Sequence, residues 1–92
     1  MKTITKAQLT KYRNITTKAL NLAKKAINKE KKQEAKEIIS MVEAYLSDSS
    51  YFEKQGNLVN AFGAINYAHG WLDCGARLGI FKVRNNKLFT IE

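Results

Sequence analysis

Proline is absent from this chain of 92 residues, all five glycines lie at position 56 or later, and cysteine and histidine occur once each. Without proline or glycine, the first 55 residues contain no strong helix breaker, so long helices are expected there. The lone Cys74 cannot form a disulfide within the chain, which fits a reducing compartment and a cytoplasmic protein.

Long hydrophobic runs are also missing. No segment approaches the roughly 18 to 20 apolar residues of a membrane-spanning helix, and the first six residues lack the apolar stretch of a signal peptide. Hydrophobic residues nevertheless make up 45% of the chain, interspersed with charges, which argues against disorder. We therefore expect one soluble domain over residues 1–92 that has no membrane partner.

The net charge of +8 is unevenly distributed. Residues 1–36 contain eleven lysines and arginines against two glutamates, whereas residues 37–92 contain five basic and six acidic residues. Such asymmetry is found on ordinary solvated helix surfaces, and also on surfaces that attract nucleic acid. The nucleic-acid candidates lie along one flank of the first helix, within the basic region 2–36: Lys11, Lys18, Lys25 and Lys29. Because aromatic side chains are scarce there, such binding would recognise the backbone rather than the bases.

The helices can be located from apolar periodicity and capping residues. Thr5 followed by Gln8 forms a capping box, which predicts a first helix over residues 6–28. A polar stretch predicts a turn before a second helix over 31–55. Gly56 then suits a left-handed helix end, and Asn57 suits the cap of a third helix over 58–79. Short connections predict an all-α, antiparallel, up-down-up bundle of three helices.

The remaining residues, 80–92, form a short tail. Asn85 and Asn86 permit a two-residue hairpin turn between the apolar residues of this segment. A lone hairpin is marginal in water, so the alternative is an extended segment that lies on the bundle. Gly79 followed by Ile80 is typical of a glycine that ends a helix.

The third helix is apolar on two sides. One side is the core stripe; the other carries Tyr67, Trp71 and Leu78, with Cys74 beside them. This second apolar side needs a cover, which could be the tail, a second subunit, or a ligand or partner protein. Each glycine inside the helix costs about 1 kcal/mol relative to alanine. Those glycines therefore suggest that another backbone or a ligand approaches closely.

A polar seam separates the two apolar sides and consists of Asn66, His69, Asp73 and Arg77. The seam could fix the register of neighbouring helices through pairs spaced by four residues, or it could bind a small anion or nucleotide. Two potential ligands are too few for a metal site, and Cys74 points away from the histidine. We therefore expect no metal, no cofactor and no catalytic residue.

Several segments resemble an archaeal family, the domain of unknown function 357. The resemblance covers roughly residues 35–90 and is carried by Tyr45-Leu-Ser-Asp48, by Gly56-Asn-Leu-Val59, and by Ala61-Phe-Gly-Ala-Ile-Asn-Tyr-Ala-His-Gly-Trp-Leu-Asp-Cys-Gly-Ala-Arg-Leu-Gly79 with Ile80-Phe81. It implies a three-helix bundle in a cytoplasmic archaeal protein with no assigned activity. No site residue can be transferred from it.

Three functional hypotheses follow. The leading one is a non-enzymatic binding or assembly module that uses the third helix, with a homodimer or a protein partner. The second is nonspecific nucleic-acid binding through the basic region. The third is small-anion or nucleotide binding at the polar seam.

Overall fold

The computed structural model describes residues 3–84 and 87–89. It contains three α-helices, α1 (Lys6–Lys24), α2 (Lys32–Lys54) and α3 (Leu58–Arg77), and a short 3-10 helix over Lys29–Lys31 that leads into α2. The start of α1 packs on the start of α3, and the segment after α1 contacts the segment after α3. These two helices are thus parallel and α2 is antiparallel to both, which confirms the predicted three-helix bundle.

The first helix begins where its capping box predicts and ends earlier than expected. Thr5 Oγ1 accepts a hydrogen bond from the Gln8 amide at 3.1 Å, and Gln8 Oε1 accepts one from the Thr5 amide at 3.0 Å. The predicted end at residue 28 is wrong, because the helix stops at Lys24. The residues that follow instead pair with the tail: the Lys82 amide donates to the Ala26 carbonyl at 2.7 Å, and Ile27 forms a bridge with Phe81.

Glycine ends both of the later helices. Gly56 has φ 77° and Gly79 has φ 74°, values that favour glycine because it has no Cβ. After α3, the Ile80 amide donates to the Gly75 carbonyl at 2.8 Å and the Gly79 amide donates to the Ala76 carbonyl at 3.2 Å. This is a Schellman motif. It confirms the predicted glycine, although α3 itself stops at Arg77 rather than at residue 79.

The third helix is central to the core, since it packs on both α1 and α2 while those two touch little. Small residues of α3 let its neighbours approach closely. At Gly75, an added Cβ would lie 2.5 Å from Phe81 Cε2 and 3.2 Å from Ile38 Cδ1. The predicted close approach at a helical glycine is therefore confirmed at this position, and the approaching group is the buried Phe81 ring of the same chain.

The described part of the tail lies on the bundle. Ile80, Phe81 and Phe89 are buried in the main core cluster. The hairpin turn predicted at Asn85-Asn86 lies outside the described residues. None of the helices in the described ranges combines the length and the apolar character needed to cross a bilayer.

Candidate functional site

The second apolar side of α3 is exposed. Tyr67 is 66% exposed, Trp71 39% and Leu78 61%. The described tail residues run elsewhere, since Phe89 is buried in the main core cluster and Leu88 contacts His69 on the opposite flank of the helix. The described tail therefore does not cover these three side chains.

We define the outer face of the third helix as the side opposite its buried core stripe. It consists of Val59, Gly63, Asn66, Tyr67, Gly70, Trp71, Cys74, Arg77 and Leu78. An open groove of about 640 Å³ runs along its middle, between Gly63 and Cys74. Tyr67 forms one wall, where its ring stacks on Tyr45 of α2 with centroids 5.5 Å apart and an interplanar angle of 22°. This stacking holds an exposed aromatic side chain in a defined position.

Two glycines form the floor of this groove. A Cβ added at Gly63 or at Gly70 would meet no atom within 4 Å, in contrast to Gly75 on the buried side. Neither has the positive φ that would favour glycine. They are seven residues apart, so they lie on the same face of the helix about 10 Å from each other. The described part of the chain gives no packing reason for either glycine.

The polar seam is only partly assembled. Asn66, His69 and Asp73 line a hollow of about 460 Å³ between α1 and α3, together with Tyr12, Ile15, Thr16, Ile65, Gly70 and Lys87. Arg77 does not line this hollow and is exposed in the last turn of α3. The seam contains two pairs at a spacing of four residues, His69 with Asp73 and Asp73 with Arg77. In the first pair, His69 Nε2 and Asp73 Oδ1 are 3.8 Å apart.

His69 connects three parts of the fold. Its Nε2 lies 2.7 Å from the Leu88 carbonyl oxygen, and its Nδ1 lies 3.0 Å from Thr16 Oγ1. A carbonyl oxygen only accepts hydrogen bonds, so Nε2 carries the proton and Nδ1 accepts from the threonine hydroxyl in the neutral ring. Both ring nitrogens are thus engaged in joining α3 to α1 and to the tail, which makes the residue a structural tie.

A polar cluster that the sequence did not reveal lies at the other end of the bundle. Arg13 donates to Glu53 Oε1 and to Ser49 Oγ, the latter at 2.9 Å. The fully buried Ser49 in turn donates to the Ala61 carbonyl at 2.8 Å. This cluster joins all three helices. The sequence contains one sign of this cluster. Ser49 is in phase with the apolar stripe of α2, and a serine at a core position needs a hydrogen-bond partner.

The candidate nucleic-acid residues are exposed but do not all lie on α1. Lys11 and Lys18 are on the helix, Lys25 caps its end, and Lys29 opens the 3-10 helix after the chain has turned. The opposite flank of α1 forms ion pairs with α2, Arg13 with Glu53 and Lys24 with Glu43. Lys29 therefore does not lie on the same flank of α1 as Lys11, Lys18 and Lys25.

The sequence model of the DUF357 family, described as a protein of unknown function, matches residues 11–81. The chain belongs to this family. Its match includes the outer face of the third helix, the tie at His69 and the two helix-ending glycines. Comparison with curated proteins gave no significant match, and comparison with solved structures gave none either.

Proposed function

We propose that this protein is a non-enzymatic assembly module that forms a homodimer through the outer face of the third helix. The observation that carries the proposal is the pair Gly63 and Gly70, which face open space on an exposed apolar surface. Each costs about 1 kcal/mol of helix stability relative to alanine. A second helix laid on this face would make use of both, because glycine lets two backbones approach closely.

Charge favours a second copy of this chain as the partner. Because each copy has a net charge of +8, two copies repel each other at most of the surfaces through which they could meet. Among the nine residues of the outer face, Arg77 is the charged one. Two copies can therefore meet here with less repulsion than on the lysine-rich side of α1.

The same arginine favours an antiparallel arrangement. In a two-fold pair centred on Gly70, Arg77 of one copy lies opposite Gly63 of the other, because both are seven residues from the centre. Asp48 of α2 lines a cavity together with Gly63, so it stands next to the incoming arginine. Two-fold symmetry would form this ion pair twice. A parallel pair would instead place the two arginines against each other.

The size of the face sets the expected affinity. A helix of 20 residues is about 30 Å long, and a single helix covers a strip about 10 Å wide. That area is below the roughly 800 Å² per partner of a standard interface, so Tyr45 and Asp48 of α2 are expected to take part. We expect a dissociation constant in the micromolar range, carried mainly by Tyr67 and Trp71, since aromatic anchors dominate interface energies.

Sedimentation velocity over a concentration series tests the dimer. Wild-type protein is expected to convert from monomer to dimer as its concentration rises. Gly70→Leu fills the groove and should leave a folded monomer, whereas Ala44→Leu, a matched substitution at an exposed position of α2, should dimerise as wild type does. A wild-type protein that stays monomeric at every concentration, or equal behaviour of the two variants, would refute the proposal.

Cys74 distinguishes the two orientations of the pair. In the antiparallel pair the two cysteines are eight residues apart along the helix axis, or about 12 Å, which is too far for a disulfide. In a parallel pair they would be adjacent. Mild oxidation is therefore expected to produce no covalent dimer. An exposed lone thiol at an interface also suits a reducing compartment, and we propose a cytoplasmic location.

A further inference from the structure

The described tail runs antiparallel to α1 and adds its own cations to that side of the bundle. At one end, the Lys82 amide donates to the Ala26 carbonyl at 2.7 Å. Near the other end, Lys87 lines the same hollow as Tyr12 and Ile15. Lys82 is thus held just after α1, and Lys87 lies beside the first half of that helix.

The exposed lysines of α1 lie on the flank that faces this tail. Lys11 is four residues before Ile15 and Lys18 is three residues after it, so both are helix-surface neighbours of the residue that shares the hollow with Lys87. Lys25 is next to Ala26, where the Lys82 backbone is held. Two basic segments that are far apart in the sequence thus form one surface.

Most acidic residues lie on the other side; among the described residues the exception is Asp73, which lines the same hollow as Lys87. No aspartate or glutamate occurs between residues 1 and 29, and six of the eight in the chain lie in the 3-10 helix and α2: Glu30, Glu34, Glu37, Glu43, Asp48 and Glu53. Two of these carboxylates pair with the α2-facing flank of α1, through Arg13 and Lys24. The tail-facing flank of α1 therefore carries positive charge and no acidic residue of its own.

We infer that the tail and α1 together form a binding surface for the phosphate backbone of nucleic acid. We call this the basic row, and it consists of Lys11, Lys18, Lys25, Lys82 and Arg84. The row extends about 21 Å from Lys11 to Lys25, at 1.5 Å per residue. This is the length of about six base pairs of a DNA duplex, at 3.4 Å each. Lysine and arginine gain affinity there by releasing condensed counterions, without reading the base sequence.

A nucleic acid fits this surface better than an anionic membrane does. A basic helix that binds a membrane inserts an apolar face between the lipids. The apolar stripe of α1 is unavailable for this, because Leu9, Ala19, Leu20 and Ala23 are buried in the bundle core. The row presents charge without an insertable apolar face.

Fluorescence anisotropy with a labelled DNA duplex of about 18 base pairs, some three times the length of the row, tests the inference in the whole chain of 92 residues. We compare three pairs of substitutions that each remove two positive charges: Lys18→Gln with Lys25→Gln, Lys82→Gln with Arg84→Gln, and Lys32→Gln with Lys36→Gln as the control on α2. Each side chain is exposed, so folding is expected to be retained, and circular dichroism checks this.

We expect wild-type binding at low salt with a slope of log affinity against log salt concentration of about −4.5, which corresponds to roughly five phosphate contacts. Each pair in the basic row should weaken binding by at least about tenfold at low salt and make the slope shallower by about 2. The control pair should change the affinity by less than about threefold.

Three results would overturn the inference. One is the absence of duplex binding even at low salt. Another is an equal loss from the control pair, which would mean that binding follows net charge alone. The third is stronger binding to vesicles that contain phosphatidylserine than to the duplex. Because none of these substitutions touches the outer face of the third helix, failure here leaves the dimer proposal to its own test.

Discussion

The glycines on the two sides of the third helix have different surroundings. On the buried side, Gly75 gives space to the ring of Phe81, and an added Cβ would lie 2.5 Å from that ring. On the outer face, a Cβ added at Gly63 or at Gly70 would meet no heavy atom of the described residues within 4 Å. Under our proposal, a glycine that weakens the helix without accommodating a neighbour in the described part of its own chain makes room for a second copy. The predictions below compare these two sides, from the largest expected effect to the smallest.

Aromatic residues on the two sides should differ most. Phe81 is 1% exposed, so Phe81→Ala is expected to lower the free energy of unfolding by about 3–5 kcal/mol. Trp71 is a larger side chain but 39% exposed, and Trp71→Ala should cost the monomer less than about 1 kcal/mol. Urea denaturation at a concentration that keeps the protein monomeric measures both. Similar losses would show that the outer face is part of the monomer core.

Adding one methyl group on the buried side should be harmful. Gly75→Ala gains helix propensity but forces the Phe81 ring to move, and we expect a net loss of about 2 kcal/mol. A double variant provides the control: against a Phe81→Leu background, the same substitution should cost much less, because the ring edge is gone. An equal cost in both backgrounds would mean that Phe81 is not the reason for this glycine.

Within the polar seam, His69 should matter for stability while Asn66 should not. His69→Ala removes hydrogen bonds to Thr16 and Leu88, and leaving the buried threonine hydroxyl without this partner is expected to cost about 1–3 kcal/mol. Asn66→Ala, at an exposed position, should cost less than about 0.5 kcal/mol. Hydrogen exchange should show faster exchange of tail amides in His69→Ala. Unchanged exchange would mean that the histidine does not hold the tail.

The smallest effect is expected on the outer face and has the opposite sign. Gly70→Ala should raise the unfolding free energy of the monomer by about 0.5–1 kcal/mol, because alanine favours the helix and meets no atom. The same substitution should weaken the dimer, since a methyl group would separate the two backbones. Thermal unfolding at protein concentrations below and above the dimer dissociation constant separates these two effects. A destabilised monomer would contradict the account of this glycine.

Local chemistry explains which parts of the fold were predictable. The capping box at Thr5 and the left-handed positions at Gly56 and Gly79 each depend on a few adjacent residues, and each was found where the sequence places it. The end of α1 depends instead on pairing between Ile27 and Phe81, which come from distant parts of the chain. No periodicity within the first 30 residues reports that pairing, so the helix was predicted too long.

The same distinction applies to the polar seam. Helical spacing placed Asn66, His69 and Asp73 on one strip, and the structure puts them in one hollow. The groups that determine what the histidine does, Thr16 and the Leu88 carbonyl, come from α1 and the tail. Spacing along one helix carries no information about them, so the sequence left a ligand site and a structural role in helix register as open alternatives.

A charge swap across the proposed dimer is the most direct test of the central claim, that two copies of the third helix pack antiparallel through their outer faces. The dimer dissociation constant is measured by sedimentation equilibrium for wild type, Arg77→Asp, Asp48→Arg and the double variant. We predict that each single substitution weakens the dimer by about tenfold and that the double variant recovers to within about threefold of wild type, as expected for a direct ion pair. Additive losses in the double variant, or a wild-type protein that never dimerises, would contradict it.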